Sequence, residues 1–362
     1  MKRNKSLDIL RIIAIIMVFY NHKDAYTWYM KYSDSYNLLF AVHSFLAILC
    51  KSGAPLFLMI SGALLLGKNE DIVTIWKKRL SRMLIVLIWI ATSMVLFKMS
   101  SGWLQTVFIY SNWYIYSYIG FLFMLPFLRI IAQGLNKNTG RYYFMLVTFF
   151  YSISAFFIPR GILSSFLSYI PIITNPGWPS YCWNIIFPIC GYLIYYYVNK
   201  EVIGKKGMNS KNNRNLEGRG MILSQREITA LIVVGGVFAV FLTSLNMYYD
   251  IQKNNGVNVE SIVQYSTFIP TCAIFYCAIN CSSYKDEKEK NWIQVLSRNT
   301  FGLYIIEIST PFSPIYINGF VLRNKYLYGT YWYCIVAIII QFVLYNVLVS
   351  ALRIIKPINK II

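Results

Sequence analysis

Apolar residues run through this chain in long unbroken blocks, and polar residues are largely confined to the stretches between them. Ten blocks approach or exceed the ~20 helical residues that the hydrocarbon core of a bilayer requires. They cover 7–29, 40–66, 80–100, 112–132, 141–159, 181–199, 227–247, 261–281, 299–318 and 331–353. The pattern predicts an all-α, polytopic membrane protein forming a single domain over 1–362, with helices one to six within 1–199 and seven to ten within 227–355. Two connections stand out. Residues 200–226, with Lys205, Lys206, Asn212, Asn213, Arg214 and several glycines, predict a polar cytoplasmic loop. Residues 159–181 contain Pro159, Pro171, Pro176 and Pro179, which excludes one regular helix and suits a cover on the outer side.

Composition agrees with the pattern and charge orients it. The chain is 57% hydrophobic and 13% charged, which excludes an ordinary soluble domain. A net charge of +20 invites a nucleic-acid reading, but no soluble basic domain is present to carry one. When the connections are assigned alternately to the two sides, 25 of the 34 lysines and arginines fall on one side. By the positive-inside rule that side is cytoplasmic, and so are both termini. We therefore expect a multi-pass protein of the cell membrane, with an uncleaved first helix behind Lys2, Arg3 and Lys5. The seven cysteines suit apolar packing. Only two histidines occur, so no His-based metal site is expected. The run Gly62 to Asn69 imitates a phosphate-binding loop but lacks its final Ser or Thr, and no G-x-S-x-G nucleophile turn occurs.

The informative chemistry is polar and lies inside the apolar blocks, where an ionisable side chain is costly and points to function. Arg11 and His22 share the first span. Eleven helical steps bring His22 to within about 20° of Arg11 and roughly 16 Å further along, so both project from one face. Glu307 lies at a similar depth in the ninth span and is expected to hold the His22 imidazole if the two helices are neighbours. Lys51, Asp24 and His43 complete the intramembrane polar set. Arg79 and Arg82, spaced i, i+3 at the start of the third span, are expected on one helix face. Guanidinium forks suit phosphate, so with Arg11 they form a candidate anion site at the cytoplasmic mouth. Ser61 suits a packing or pore hydroxyl. Aromatic residues near the outer boundaries, among them Trp113 and Tyr114, fit an interfacial belt.

Several of these residues fall into an ordered set of motifs. Leu7-Asp8-x-Leu10-Arg11-x-x-Ala14 with its R-x10-H, Pro55-Leu56-Phe57-Leu58-Met59-Ile60-Ser61-Gly62, Arg79-x-x-Arg82 and Phe301-Gly302-Leu303-Tyr304-Ile305 together resemble the acyltransferase-3 family, membrane-bound O-acyltransferases of surface sugars. The resemblance implies a ten-helix core, a cytoplasmic acyl-coenzyme A donor, with acetyl the default group, and a carbohydrate acceptor that is cell-surface or polyprenyl-linked. Acyl-coenzyme A enters as co-substrate, and no permanently bound cofactor or metal is implied. Carried over by position, His22 is the catalytic base or acyl-handling residue, and Arg11, Arg79 and Arg82 are donor-site or structural arginines. Ser61, Trp113 and Tyr304 are acceptor-side candidates. The chain departs from the family pattern where Tyr-x-x-His is common, carrying Glu307 in place of that histidine, and at Asn112 before Trp113. A transporter or flippase of a lipid-linked sugar is the alternative class, although transport gives no task to the arginines aligned with His22.

Overall fold

A computed structural model describes residues 4–22, 46, 49–97, 102, 113–157, 183–206, 267–282, 291–310 and 332–361. Among them all regular structure is helical: α1 Lys5–His22, α2 Gly53–Leu65, α3 Ile72–Leu96, α4 Trp113–Gly134, α5 Lys137–Phe157, α6 Trp183–Lys206, α7 Phe268–Ser282, α8 Asn291–Ser309, α9 Trp332–Leu352 and α10 Lys356–Ile361. The expected seventh span, the cover at 159–181, residues 207–226 of the polar connection, Asp24 and His43 lie outside the described residues.

Three helices, Ile72–Leu96, Trp113–Gly134 and the Ile335–Leu352 part of α9, are long and apolar enough to cross a membrane. Their exposed faces explain how they do so. Ile85, Ile88 and Trp89 on α3, Phe123, Phe127 and Ile130 on α4, and Ile339, Val343 and Val347 on α9 are all exposed, at the i, i+3 and i+4 spacing of one helix face. Stripes of that width are unfavourable in water but suit lipid tails. Shorter apolar helices, including Gly53–Leu65 and Phe268–Asn280, pack in the interior.

The close approach of α2 and α6 requires glycine. A Cβ on Gly62 would collide with the Pro188 backbone, and one on Gly191 with the Met59 backbone, so each helix admits the other at a residue without a side chain. This is the contact geometry that small residues give membrane helices. Across the first loop, Asn21 Nδ2 donates to the Cys50 carbonyl at 2.7 Å, while Gly53 abuts Ala14 and Met17, so α2 runs antiparallel to α1.

Helix ends differ from the sequence expectation for local reasons. The block 40–66 is not one helix: a turn at Lys51 and Ser52 precedes α2, and Pro55 in the first turn needs no hydrogen-bond acceptor. Lys51 therefore sits at a turn rather than inside a helix. The third helix starts at Ile72 rather than 80, because Asp71 caps it by accepting the Thr74 N–H at 3.3 Å. Residues Trp76–Leu80 then form a π turn, closed by the Ser81 N–H donating to the Trp76 carbonyl. Asn136 caps α5 by accepting N–H groups from Asn138 and Thr139 at 2.9 and 3.0 Å.

Candidate active site

Helix α8 is the polar spine of the molecule. Near its start, Ser297 Oγ donates to Asp8 Oδ1 at 2.5 Å, and the same carboxylate oxygen holds Arg11 Nη1 at 2.8 Å. Arg11 also reaches Ser297 Oγ at 3.5 Å. Asp8 is fully buried, so its charge is costly unless paired, and Arg11 pairs it one helical turn away. Arg11 is thus aimed by its own helix and by α8 together.

Ten residues further along α8, Glu307 meets His22. Glu307 Oε1 lies 3.5 Å from His22 Nδ1, with the carboxylate side chain 5% exposed and the imidazole 36% exposed. Because Ser297 pairs with the start of α1 and Glu307 with its end, α1 and α8 run parallel. The other carboxylate oxygen is engaged by α9: Gln341 Nε2 and the Tyr345 hydroxyl both donate to Glu307 Oε2, the latter at 3.1 Å. Phe19 packs edge-on against the Tyr345 ring at 5.8 Å and fixes its position. These donors are neutral, so they orient the carboxylate without cancelling its charge. A carboxylate beside Nδ1 favours the tautomer with the proton there, leaving Nε2 as the accepting nitrogen. At 3.5 Å the contact is long for a hydrogen bond.

The two arginines of Arg79-x-x-Arg82 do not act as one pair. Arg79 lies within the π turn and Arg82 just beyond it, and the wider turn rotates the two off a common face. Arg79 turns to Glu70, donating through Nη2 at 2.7 and 3.0 Å and through Nε at 3.3 Å. Glu70 also accepts from Arg129 Nη2 at 3.0 Å. Arg129, only 6% exposed, donates further to the Leu65 and Glu70 carbonyls. Chiefly through the Arg79 hydrogen bonds, and then those of Arg129, the Glu70 carboxyl is held down to about 2 against the opposing effect of burial. Arg82 instead lies over the Phe301 ring of α8, 5.3 Å from its centre. The expected phosphate-binding trio is therefore divided: Arg11 and Arg82 flank α8, whereas Arg79 is locked into a loop anchor.

The acceptor-side candidates also separate. Ser61 donates to the Phe57 carbonyl of its own helix at 2.9 Å, which is the packing alternative. Tyr304 is 9% exposed and meets the Tyr114 ring at 5.4 Å; Tyr114 in turn contacts Phe57 and Trp113 at 6.2 and 5.9 Å. Trp113, Tyr114 and Tyr304 thus form one aromatic cluster bridging α2, α4 and α8. Tyr114 belongs to that internal cluster and not to an interfacial belt. Among the described residues no group of His, Cys, Asp and Glu is placed to hold a metal ion, and Cys50, Cys190, Cys272 and Cys277 are free thiols.

Sequence reasoning did not single out Glu70, Arg129, Ser297, Gln341 or Tyr345. Gln341 and Tyr345 did carry a signal, as a polar pair at i, i+4 in an otherwise apolar block. Glu70 stands beside Asp71 in an otherwise basic connection. Arg129 is buried inside α4, near the cytoplasmic end expected for the fourth span.

A family model described as an acyltransferase domain matches residues 4–346, nearly the whole chain. Comparison with curated proteins and with solved structures found no match.

Proposed function

We infer the reaction from one premise: the chain belongs to the acyltransferase domain family and is a membrane acyltransferase. Our proposed reaction moves an acyl group, acetyl by default, from cytoplasmic acyl-coenzyme A to a hydroxyl of a cell-surface or lipid-linked carbohydrate. The observation that carries this reading is the His22–Glu307 contact, with Arg11 one helix length away on the same α1–α8 pair. It supports a division of labour along roughly 16 Å of helix: anion recognition at the cationic end and acyl chemistry at the other.

In the proposed reaction His22 Nε2 takes the proton of the acceptor hydroxyl as its oxygen attacks the thioester carbonyl. The carbon–sulfur bond breaks, the thiolate takes a proton from the imidazolium, and the products are the ester and free coenzyme A. Glu307 stabilises the transient imidazolium while Gln341 and Tyr345 keep it aimed. An acyl-imidazole relay is the variant in which Nε2 attacks first. The proposed ten spans and cytoplasmic termini gain support from helix directions: α1 and α8, both outward in that scheme, are parallel, and α2 opposes α1.

The test is release of free coenzyme A by the purified full-length protein given acetyl-coenzyme A and a panel of soluble sugars and polyprenyl-linked oligosaccharides, with mass analysis of the acceptor. Stoichiometric coenzyme A and a mass gain of one acetyl group on an acceptor support the proposal. An acyl transfer to nitrogen, or from a donor lacking coenzyme A, overturns it.

A further inference from the structure

Helices α8 and α9 are joined by a polar seam that begins well away from His22. Asn299 Nδ2 of α8 donates twice across the interface, to Asn346 Oδ1 at 3.2 Å and to Ser350 Oγ at 3.0 Å. Asn346 is itself aimed. Its Nδ2 donates to the Phe342 carbonyl of its own helix at 2.8 Å, which leaves the amide oxygen turned towards α8. Asn299 is 1% exposed and Asn346 8%, so these amides meet where water does not replace a lost partner. Roughly 12 Å further along α8 the seam ends at Glu307, which takes Gln341 and Tyr345 as donors. The partners climb α8 from Asn299 to Glu307 as they descend α9 from Ser350 to Gln341, so one antiparallel register satisfies both ends.

Apolar packing does not fix that register. Helix α9 is apolar on all sides: Ala337, Ile338 and Val349 are buried, and Ile339, Val343 and Val347 are exposed. Lipid tails solvate such a helix as well as a neighbouring helix does, so polar contacts carry the specificity. A slip of α9 by one turn, about four residues, would set Ala337 and Gln341, or Tyr345 and Val349, against Glu307. Either way the carboxylate keeps only one donor. The same slip would take Ser350 or Asn346 away from Asn299, so the two ends of the seam lock each other. Buried amides fix alignment in this way where apolar helices have several to choose from.

Gln341 carries a second mark of the role. It is fully buried, and its Oε1 has no hydrogen-bond partner among the described residues, a cost that an apolar side chain of similar size would avoid. What the amide supplies in return is its Nε2, which serves Glu307.

We propose that Asn299, Asn346 and Ser350 form a register key, which holds α9 where Gln341 and Tyr345 aim Glu307 at His22. Asn299 is thereby a positioning residue for the reaction, although it touches neither His22 nor Glu307. The assignment rests on the His22 acyltransfer reading above and deepens it.

The experiment uses the full chain in phosphatidylcholine nanodiscs, with its histidines labelled in the ring nitrogens for magnetic resonance. The chain has two histidines, so His22→Ala assigns the His22 signal, and its nitrogen shifts report which ring nitrogen of the neutral imidazole carries the proton. Wild type is expected to show the Nδ1–H tautomer. Asn299→Leu should move His22 towards the Nε2–H form. In acetyl transfer it should lower kcat by about 10- to 100-fold and leave the KM for acetyl-coenzyme A within about twofold. In a Glu307→Gln background Asn299→Leu should lower kcat no further, because no carboxylate remains to be aimed. Ser350 is exposed, so Ser350→Ala, which removes one of the two acceptors, reads the same tautomer shift in smaller measure if Asn299→Leu does not fold. An unchanged His22 tautomer in folded Asn299→Leu, or in Ser350→Ala where only that variant folds, overturns the proposal. An equal fall in kcat with and without the Glu307 carboxylate also overturns it, since that marks a purely structural role. A tautomer shift in a protein that transfers no acetyl group leaves the key standing while the acyltransfer reading fails.

Discussion

Glu70 and Glu307 are both acids facing basic side chains, yet they build opposite kinds of cluster. Both Glu70 oxygens accept from guanidinium groups, and Arg129 spends its remaining donors on the carbonyls of Leu65 and Glu70. That cluster is closed: it staples the α2–α3 loop to α4, and Gln133 adds a bond to the Leu66 carbonyl at 2.7 Å. Glu307 divides its oxygens. One takes neutral donors from α9, and the other faces the Nδ1 of an imidazole that is 36% exposed. A closed cluster engages its charge in holding the fold, whereas an open one leaves a titratable group partly exposed. The presence of charge in an apolar chain therefore does not mark the site by itself; the capacity left over does.

Substitutions separate the two clusters. The largest effect is expected at His22: a His22→Ala protein should insert and elute like wild type yet lose about 10²- to 10⁴-fold in transfer, the usual range for general-base catalysis. Near-wild-type coenzyme A release by that variant would remove His22 from the chemistry. Arg129→Ala should do the reverse. Removing this buried guanidinium deprives the Leu65 and Glu70 carbonyls of their donor while Glu70 keeps Arg79, at a cost of about 1–3 kcal/mol, so the solubilised protein should melt earlier while any correctly folded fraction keeps its KM. Unchanged melting with lost turnover would make the Glu70 cluster part of the site.

The smallest effect concerns pH. Glu70 is ionised well below its ordinary value, and a carboxyl whose folded pKa is depressed stabilises the fold at every pH above its unfolded value. As pH falls from about 4.5 towards 2 this contribution should fade. Because Glu70 is a quarter exposed, water screens the pair and the loss should be modest. A Glu70→Gln protein should show a flatter melting temperature across that acid window than wild type. Equal slopes would show that the guanidinium contacts do not set the acid stability.

Much of this architecture was legible beforehand, and the residues show why. Block length and hydropathy need no tertiary information, so the helical character of the apolar blocks and the shared face of Arg11 and His22 follow from residue spacing. The boundaries were less legible. Asp71 as a cap and the π turn at Trp76–Leu80 moved the start of α3, and that local change turned Arg79 away from Arg82. No periodicity reveals a π turn, because it is a departure from the period on which the reading depends.

The sequence by itself determined that this chain is helical, apolar and cationic at one set of helix ends, and that a histidine and a glutamate lie at matching depths in separate spans. It also carried the motifs by which the acyltransferase family is recognised. Only the tertiary structure decided which polar groups meet: that Glu307 faces His22, that Arg79 closes on Glu70, and that Arg82 lies over Phe301 of α8. The reason is physical. Position along a helix fixes depth and face, whereas partnership depends on which helices are neighbours, and in this molecule that choice rests on contacts such as Gly62 on Pro188 and Gly191 on Met59.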